Sequence, residues 1–241
     1  MTEHEVPLPI CDYEGSTYRT DFWEGRGREY EDLVERVALT RLLPSAGRRL
    51  LDIGAGFGRL ASLYDGYEQV ILLDYSRSQL EYARERWGDE RFIYVAADLY
   101  TLPLASNAVD TVVTVRVMHH LADVPRALAQ IARVACPQGH LVLEFANKRH
   151  AKNLVRHLLG RGQNPYDLQP YEFADLHFDF HPRWMAARLA EAGWRIERRL
   201  AVSTLRSAFL KRTVPVEWLV KLDKTLQAIT APLALAPSLF V

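Results

Sequence analysis

Cysteine is scarce in this chain: Cys11 and Cys136 are its only two. They make no CxxC pair and no evenly spaced framework, which excludes a disulfide scaffold and a cysteine-rich zinc site. Long apolar runs are also missing. A membrane-crossing helix needs roughly 18 or more consecutive apolar residues, and the most apolar stretch, 228–241, is interrupted by Pro232 and Pro237. The first fifteen residues carry acids and no apolar core run, so they do not read as a secretory signal, and the expected address is the cytoplasm. Neither sign of charge dominates: Lys+Arg and Asp+Glu are both 30. Nothing in that balance favours long-range attraction to nucleic acid or an anionic membrane. The one locally basic stretch holds Arg149, Lys152, Arg156 and Arg161. There is no internal repeat and no low-complexity segment.

What is present is ample apolar material, 49% of 241 residues, enough for the core of one large α/β domain. Residues 28–43 put Leu33, Val37 and the Leu39/Leu42/Leu43 group near one helical face. Short β-rich runs follow at 49–53, 69–73, 91–95, 109–115 and 140–145, separated by helix-length segments. Those helices are expected from Ser76 or Ser78 to about Arg86 and over Val124–Val134. That rhythm predicts a parallel sheet covered on both faces, with right-handed crossovers. Residues 147–182 break it, and form either a lid over the C-terminal edge of the sheet or a disordered insertion. The pattern resumes with a helix at Pro182–Ala192, a strand at Trp194–Ala201, an amphipathic helix at Val216–Ala228 and a last short strand within 236–241.

The first strand runs directly into Gly54-Ala55-Gly56-Phe57-Gly58. Glycines there make a tight turn and let backbone approach a ligand, the mark of a nucleotide-type cofactor site. Arg59 stands where a dinucleotide fingerprint would want a further glycine, and no Walker lysine-serine pair is present. Asp52, at the strand end, is ill placed beside a diphosphate but tolerable beside a cation. S-adenosylmethionine carries an ammonium and a sulfonium and no phosphate, so it suits this loop best. Asp74 ends the second strand, where a carboxylate accepts ribose hydroxyls. Tyr75 beside it is placed to cover an adenine face, and Asp98, after the third strand, to accept from an adenine amino group. Three acids at three neighbouring strand ends line one crevice.

These blocks resemble the class I S-adenosylmethionine-dependent methyltransferases, and among them the small-molecule group that includes the ubiquinone/menaquinone methyltransferases. The matching stretches are LLDIGAGFGRL at 50–60, LLDYSRSQLEYAR at 72–84, AADLYTLPLASNAVDTVVTVRVMHHLAD at 96–123 and ARVACPQGHLVLEF at 132–145. The resemblance implies a Rossmann-like, doubly wound seven-stranded sheet of order 3-2-1-4-5-7-6 with the last strand antiparallel. It implies that Gly54, Ala55 and Gly56 approach the methionyl part, Asp74 binds the ribose, Tyr75 lies against the adenine, and Asp98 and Leu99 contact the ring. Arg116, after the fourth strand, takes a position whose backbone touches the cofactor. The stretch Tyr18 to Tyr30 resembles an arm closing over the cofactor, with Arg28 a carboxylate partner there. The single domain 1–241 then has an N-terminal arm, 1–32, and cap segments 147–182 and 205–230, the latter inserted between the sixth and seventh strands. Two departures stand out: Pro137-Gln138-Gly139 replaces a proline-glycine-glycine turn, and the last strand is short.

Methyl transfer from a sulfonium needs alignment and exclusion of water, and a base only where the acceptor must lose a proton. His119 and His120 are the base candidates by position, His119 slightly preferred. His177, Asp179 and His181 alternate as they would on one strand face, which invites a metal reading, but a helix entry or lid contact is favoured. Asn164-Pro165-Tyr166 reads as a turn. Tyr166, Tyr171, Phe173, Phe178 and Phe180 are candidates for a substrate pocket, or equally for packing within the cap. The expected acceptor is a small organic molecule, with no metal and no nucleic acid involved. An RNA or protein methyltransferase with a basic open groove, and a non-catalytic cofactor-binding protein, are the alternatives.

Overall fold

The computed structural model describes residues 8–11, 13–17, 19–23 and 27–241. The first helix, α1 (Glu29–Leu42), has Glu29, Glu31 and Asp32 in its opening turn, where carboxylates complement the helix dipole. It buries Tyr30, Val34, Ala38 and Leu39 along one stripe. Strands β1 (Gly47–Ile53) and β2 (Tyr67–Asp74) are joined through the glycine loop. Ser76 caps α2 (Arg77–Trp87) by accepting from the Gln79 amide, and Gly88 at φ 68° ends it. Then follow β3 (Phe92–Ala96) and β4 (Val109–Thr114). Asp123 caps α3 (Val124–Val134), which buries Val124, Ala127, Leu128, Ile131 and Val134. Strand β5 runs Ala135–Ala146, earlier in its start than the apolar run alone indicates.

The cap is ordered. Residues 147–182 contain α4 (Ala151–Leu158) and a hairpin of β6 (Tyr171–Ala174) and β7 (His177–Asp179). The hairpin lies against the turn at Met118–His120, near the C-terminal ends of the central strands. The chain continues with α5 (Pro182–Glu191), β8 (Leu200–Val202), α6 (Ala208–Thr213), α7 (Val216–Thr230) and β9 (Ser238–Phe240).

The main sheet has the order β3-β2-β1-β4-β5-β9-β8. Counting only its own strands, that is 3-2-1-4-5-7-6, with β9 antiparallel to both neighbours. Strands β1, β2 and β4 are buried on both faces, which is why they read as continuous apolar runs. One core layer packs α3 and α5 on the sheet through Leu128, Ile131, Met185 and Leu189. The other packs α1, α2 and α7 through Val34, Leu39, Leu80 and Leu219.

The expected strand at Trp194–Ala201 is corrected to Leu200–Val202. A strand needs a ladder partner, and β9 offers three residues, which pair with Leu200–Val202 and leave Trp194–Arg199 without one. The helical insertion before the last strand is α6 and α7. Its docking is polar as well as apolar. The Tyr30 hydroxyl donates to buried Asp223 at 2.7 Å, the Thr204 amide donates to the same carboxyl at 2.9 Å, and Gln227 donates to the Val34 carbonyl at 3.0 Å. The Gln227 amide also donates to Asp223, at 3.2 Å, so replacing Asp223 with Ala removes the acceptor of three donors and Asp223→Ala is expected to lower stability by about 1–3 kcal/mol. Urea unfolding checks this, and an unchanged midpoint would refute the role given to Asp223.

Candidate functional site

One cleft opens at the C-terminal ends of β1 to β4, with about 1120 Å³ of empty space out to its mouth. The glycine loop forms its floor. Gly54 sits at φ 73°, and a Cβ there would come within 2.2 Å of Val117, so the position admits no side chain. The loop amides are turned inward. Gly54 and Ala55 donate to the Leu73 carbonyl, Gly56 to the Asp74 carboxyl at 2.7 Å, and Gly58 to the Ala55 carbonyl.

Asp52 is buried and accepts from the Tyr64 hydroxyl at 2.8 Å. Burial pushes its carboxyl up to about 7, opposed by that hydrogen bond and by Arg59. Asp74 bridges two amides, Gly56 with one oxygen and Ser76 with the other, and its pKa too is raised by burial. Asp98 accepts from the Tyr100 amide and caps a short turn beginning at Leu99. Tyr75 is 47% exposed at the cleft edge. All of these, with Ala55, Leu99 and Arg116, line the cleft. Arg28 does not: it precedes α1 and is absent from the lining. Tyr18 and residues 24–26 of the expected arm lie outside the described residues. Trp23, from the same stretch, does line the cleft.

The wall beside the loop is a charge network. Glu35, 1% exposed, accepts from Arg59 at 2.8 Å and also pairs with Arg116. Arg59 is further paired with Asp32. The Trp23 ring lies under both guanidinium groups, 3.9 Å from Arg59 and 4.9 Å from Arg116. Arg116 stands at φ 62°, with its amide donating to the Glu144 carboxyl at 2.8 Å. Glu144 is buried, which raises its pKa, while Arg116 and a bond from Ser238 act against the rise.

The histidine pair is separated in place. His120 lines the cleft, whereas His119 is not among the lining residues. The reason is the short turn at Met118–His120, which aims His120 at the opening. His120 Nδ1 lies 3.0 Å from the Leu176 carbonyl, which only accepts, so Nδ1 carries the proton. Nε2 therefore holds the lone pair, 3.3 Å from the Tyr13 hydroxyl. Burial takes the His120 pKa down to about 4, and burial also takes that of His119 well below the ordinary value. The His177 ring packs edge-on to His120, 4.7 Å between centroids. His177, Asp179 and His181 do not converge. His181 caps α5 through the Arg183 amide, and Asp179 accepts from Gln163. Among the described residues no group of three or more His, Cys, Asp or Glu could hold a metal ion. Asn164 forms the expected turn by accepting from the Tyr166 amide.

Tyr13, Trp23, Glu35 and the pairing role of Arg59 escaped the sequence reading. Tyr13 lies in an irregular segment with no periodicity, and Glu35 occupies a helix face that charge alone marks as exposed. A carboxylate pair at Asp32 and Glu35 facing Arg59 was the available signal, but it needed the fold to bring loop and helix together.

The strand order of the sheet, with its cleft at the strand ends, is the fold of the class I S-adenosylmethionine-dependent methyltransferases. The chain's sequence is homologous to demethylmenaquinone methyltransferases at moderate identity. Residues 51–143 match the family described as "Methyltransferase domain". The O-methyltransferase cnsE of Penicillium expansum is 30% identical over 152 residues, 58% of this chain and 54% of that protein. A demethylmenaquinone methyltransferase of Clavibacter sepedonicus is 35% identical over 119 residues, 48% of this chain and 49% of its own length. The chain thus spans about half the length of these curated relatives. Among solved structures, the methyltransferase bound to the Trm112 methyltransferase activator of Haloferax volcanii superposes with a TM-score of 0.63 at 19% identity, covering 98% of this chain and 97% of that one. That likeness is one of fold.

Glu35→Ala would leave Arg59 and Arg116 without their shared buried acceptor. The expected loss is about 3–5 kcal/mol, with Trp23 fluorescence altered in the folded state. A denaturation curve matching that of the parent protein would refute the network's structural weight.

Proposed function

We propose that the protein transfers a methyl group from S-adenosylmethionine to a small organic acceptor by in-line displacement. The inward-turned glycine loop carries this reading. With the amides of Gly54, Ala55, Gly56 and Gly58 already bonded within the chain, the loop presents carboxylates to the cleft and few donors to a phosphate. That donor set fits a cofactor that is cationic and phosphate-free. When bound, S-adenosylmethionine supplies an activated methyl group on a good leaving group. The chain's part is to bind, align and exclude water. In this reading Asp74 and Asp98 hold the nucleoside, with Tyr75 and Leu99 against its ring. Asp52 faces the cationic end, and Trp23, held by Arg59 and Arg116, closes one side. The backbone of Arg116 borders the methyl-donating end.

His120 is the base where the acceptor is a hydroxyl or phenol. Its Nδ1 proton is held by Leu176, its Nε2 lone pair faces the cleft, and its low pKa keeps it neutral at ordinary pH. An acceptor hydroxyl would take the place of the Tyr13 phenol and give its proton to Nε2. The relative named an O-methyltransferase supports an oxygen acceptor. A small molecule is favoured over RNA or protein because the basic stretch, Lys152 and Arg156, lies on the exposed face of α4 and does not line the cleft. Among the described residues no helix is long and apolar enough to cross a membrane. We set the protein in the cytoplasm, in keeping with its two free thiols.

Two variants test the assignment. Asp74→Ala is expected to weaken S-adenosylmethionine binding, measured by calorimetry, by at least about tenfold. His120→Asn is expected to leave that binding nearly unchanged while lowering kcat on a phenolic acceptor about 10²- to 10⁴-fold. At saturating S-adenosylmethionine, which removes the effect of Asp52 on cofactor binding, the parent's kcat/KM for the acceptor should hold as pH falls through the ordinary histidine range and drop as His120 gains its proton, near its value of about 4. Failure of the intact protein to bind S-adenosylmethionine would overturn the function, and full activity in His120→Asn would overturn the base.

A further inference from the structure

Helix α4 is mounted with its polarity reversed. Toward the domain it buries Asn153, whose amide group donates to the Lys148 carbonyl at 2.8 Å. Toward solvent it shows Val155, Leu158 and Leu159, which are 56%, 78% and 68% exposed. Their spacing puts them on one stripe of the helix and its C-terminal end. Tyr166, 58% exposed, joins them through its ring contact with His157, 5.9 Å between centroids. A soluble surface helix normally has the opposite arrangement.

Charge accompanies the apolar stripe. Lys152, Arg156 and Arg161 are exposed around it, and residues 147–166 contain no Asp or Glu, although the whole chain is neutral. Asp167, just after Tyr166, is paired with Lys148. An outward face of aliphatic and aromatic side chains bordered mainly by cations is the chemistry of a helix lying in a membrane interface. Each Lys or Arg near an anionic bilayer adds roughly 1 kcal/mol, and the apolar side chains enter the acyl boundary. A second copy of this chain is a poorer occupant. A twofold contact would set Lys152, Arg156 and Arg161 of one protomer close to the same three cations of its partner.

We propose that the exposed face of α4 and the loop after it is a peripheral docking site for an anionic lipid surface. The site does not depend on the methyl-transfer reading. It uses no residue of the cleft.

The test is co-sedimentation of the full-length protein with phosphatidylcholine vesicles, with and without phosphatidylglycerol. The expected result is binding to the anionic vesicles at least about tenfold stronger than to the neutral ones, weakening as salt rises. The double variant Leu158→Ser/Leu159→Ser and the double variant Lys152→Glu/Arg156→Glu should each lose at least about tenfold in that binding. Both pairs are exposed, so both variants should keep the parent's melting temperature and its affinity for S-adenosylmethionine. Equal affinity for both vesicle types, or none for either, would overturn the proposal. So would a parent protein that sediments as a dimer while either double variant is monomeric, which would assign the face to a second copy.

Discussion

The Asp74 carboxyl spans two backbone amides, that of Gly56 in the loop after β1 and that of Ser76 at the start of α2. Because both its oxygens are committed to main chain, the end of β2 fixes where the neighbouring loop runs. The amides of Gly54 and Ala55 are then satisfied by Leu73 and that of Gly58 by Ala55. A glycine-rich turn in a dinucleotide site keeps such amides for the ligand's phosphates. Here the same glycines provide room, and the carboxylates at the strand ends provide the electrostatic character of the cleft.

That character is balanced from the other side. Arg59 and Arg116 flank the cleft, yet both are paired with Glu35 inside α1 and stacked on Trp23. Their charge is largely spent in holding the wall together, which leaves the buried carboxyls of Asp52 and Asp74 to set the local field. Burial without a directly bonded cation is why both titrate above the ordinary carboxylate range. A cationic ligand would relieve that cost, and an anionic one would add to it. The Leu176 carbonyl orients His120 and thereby ties the β6–β7 hairpin to the cleft mouth.

Much of this was legible in the order of residues. The five parallel strands, the cap of α2 and the whole of α3 follow from local apolar runs and from side chains that bond to nearby amides. Gly54, Asp52, Asp74, Asp98 and Leu99 were identifiable because each stands at a strand end, and a doubly wound sheet gathers its strand ends along one edge. What stayed hidden depends on distant partners. The strand at Leu200–Val202 is as short as its contact with β9. Glu35 becomes an internal anion only when the loop of Arg59 folds against α1. His119 and His120 are equivalent in sequence, and only the turn that contains them decides which one faces the cleft. Tyr13 belongs to a segment with no pattern at all, and its place is set by the His120 ring it meets.

The account rests on the cleft's preference for a phosphate-free cation, and calorimetry with S-adenosylmethionine and with NADH as rival ligands measures that preference directly. Asp52 has a pKa of about 7 in the free protein. A cation bound beside it favours the ionised form, so binding should expel a proton. S-adenosylmethionine should therefore bind more tightly as pH rises through that value, with an enthalpy that varies with the buffer's own ionisation heat. NADH should show no saturable heat under the same conditions. NADH binding as tightly as S-adenosylmethionine would contradict the account.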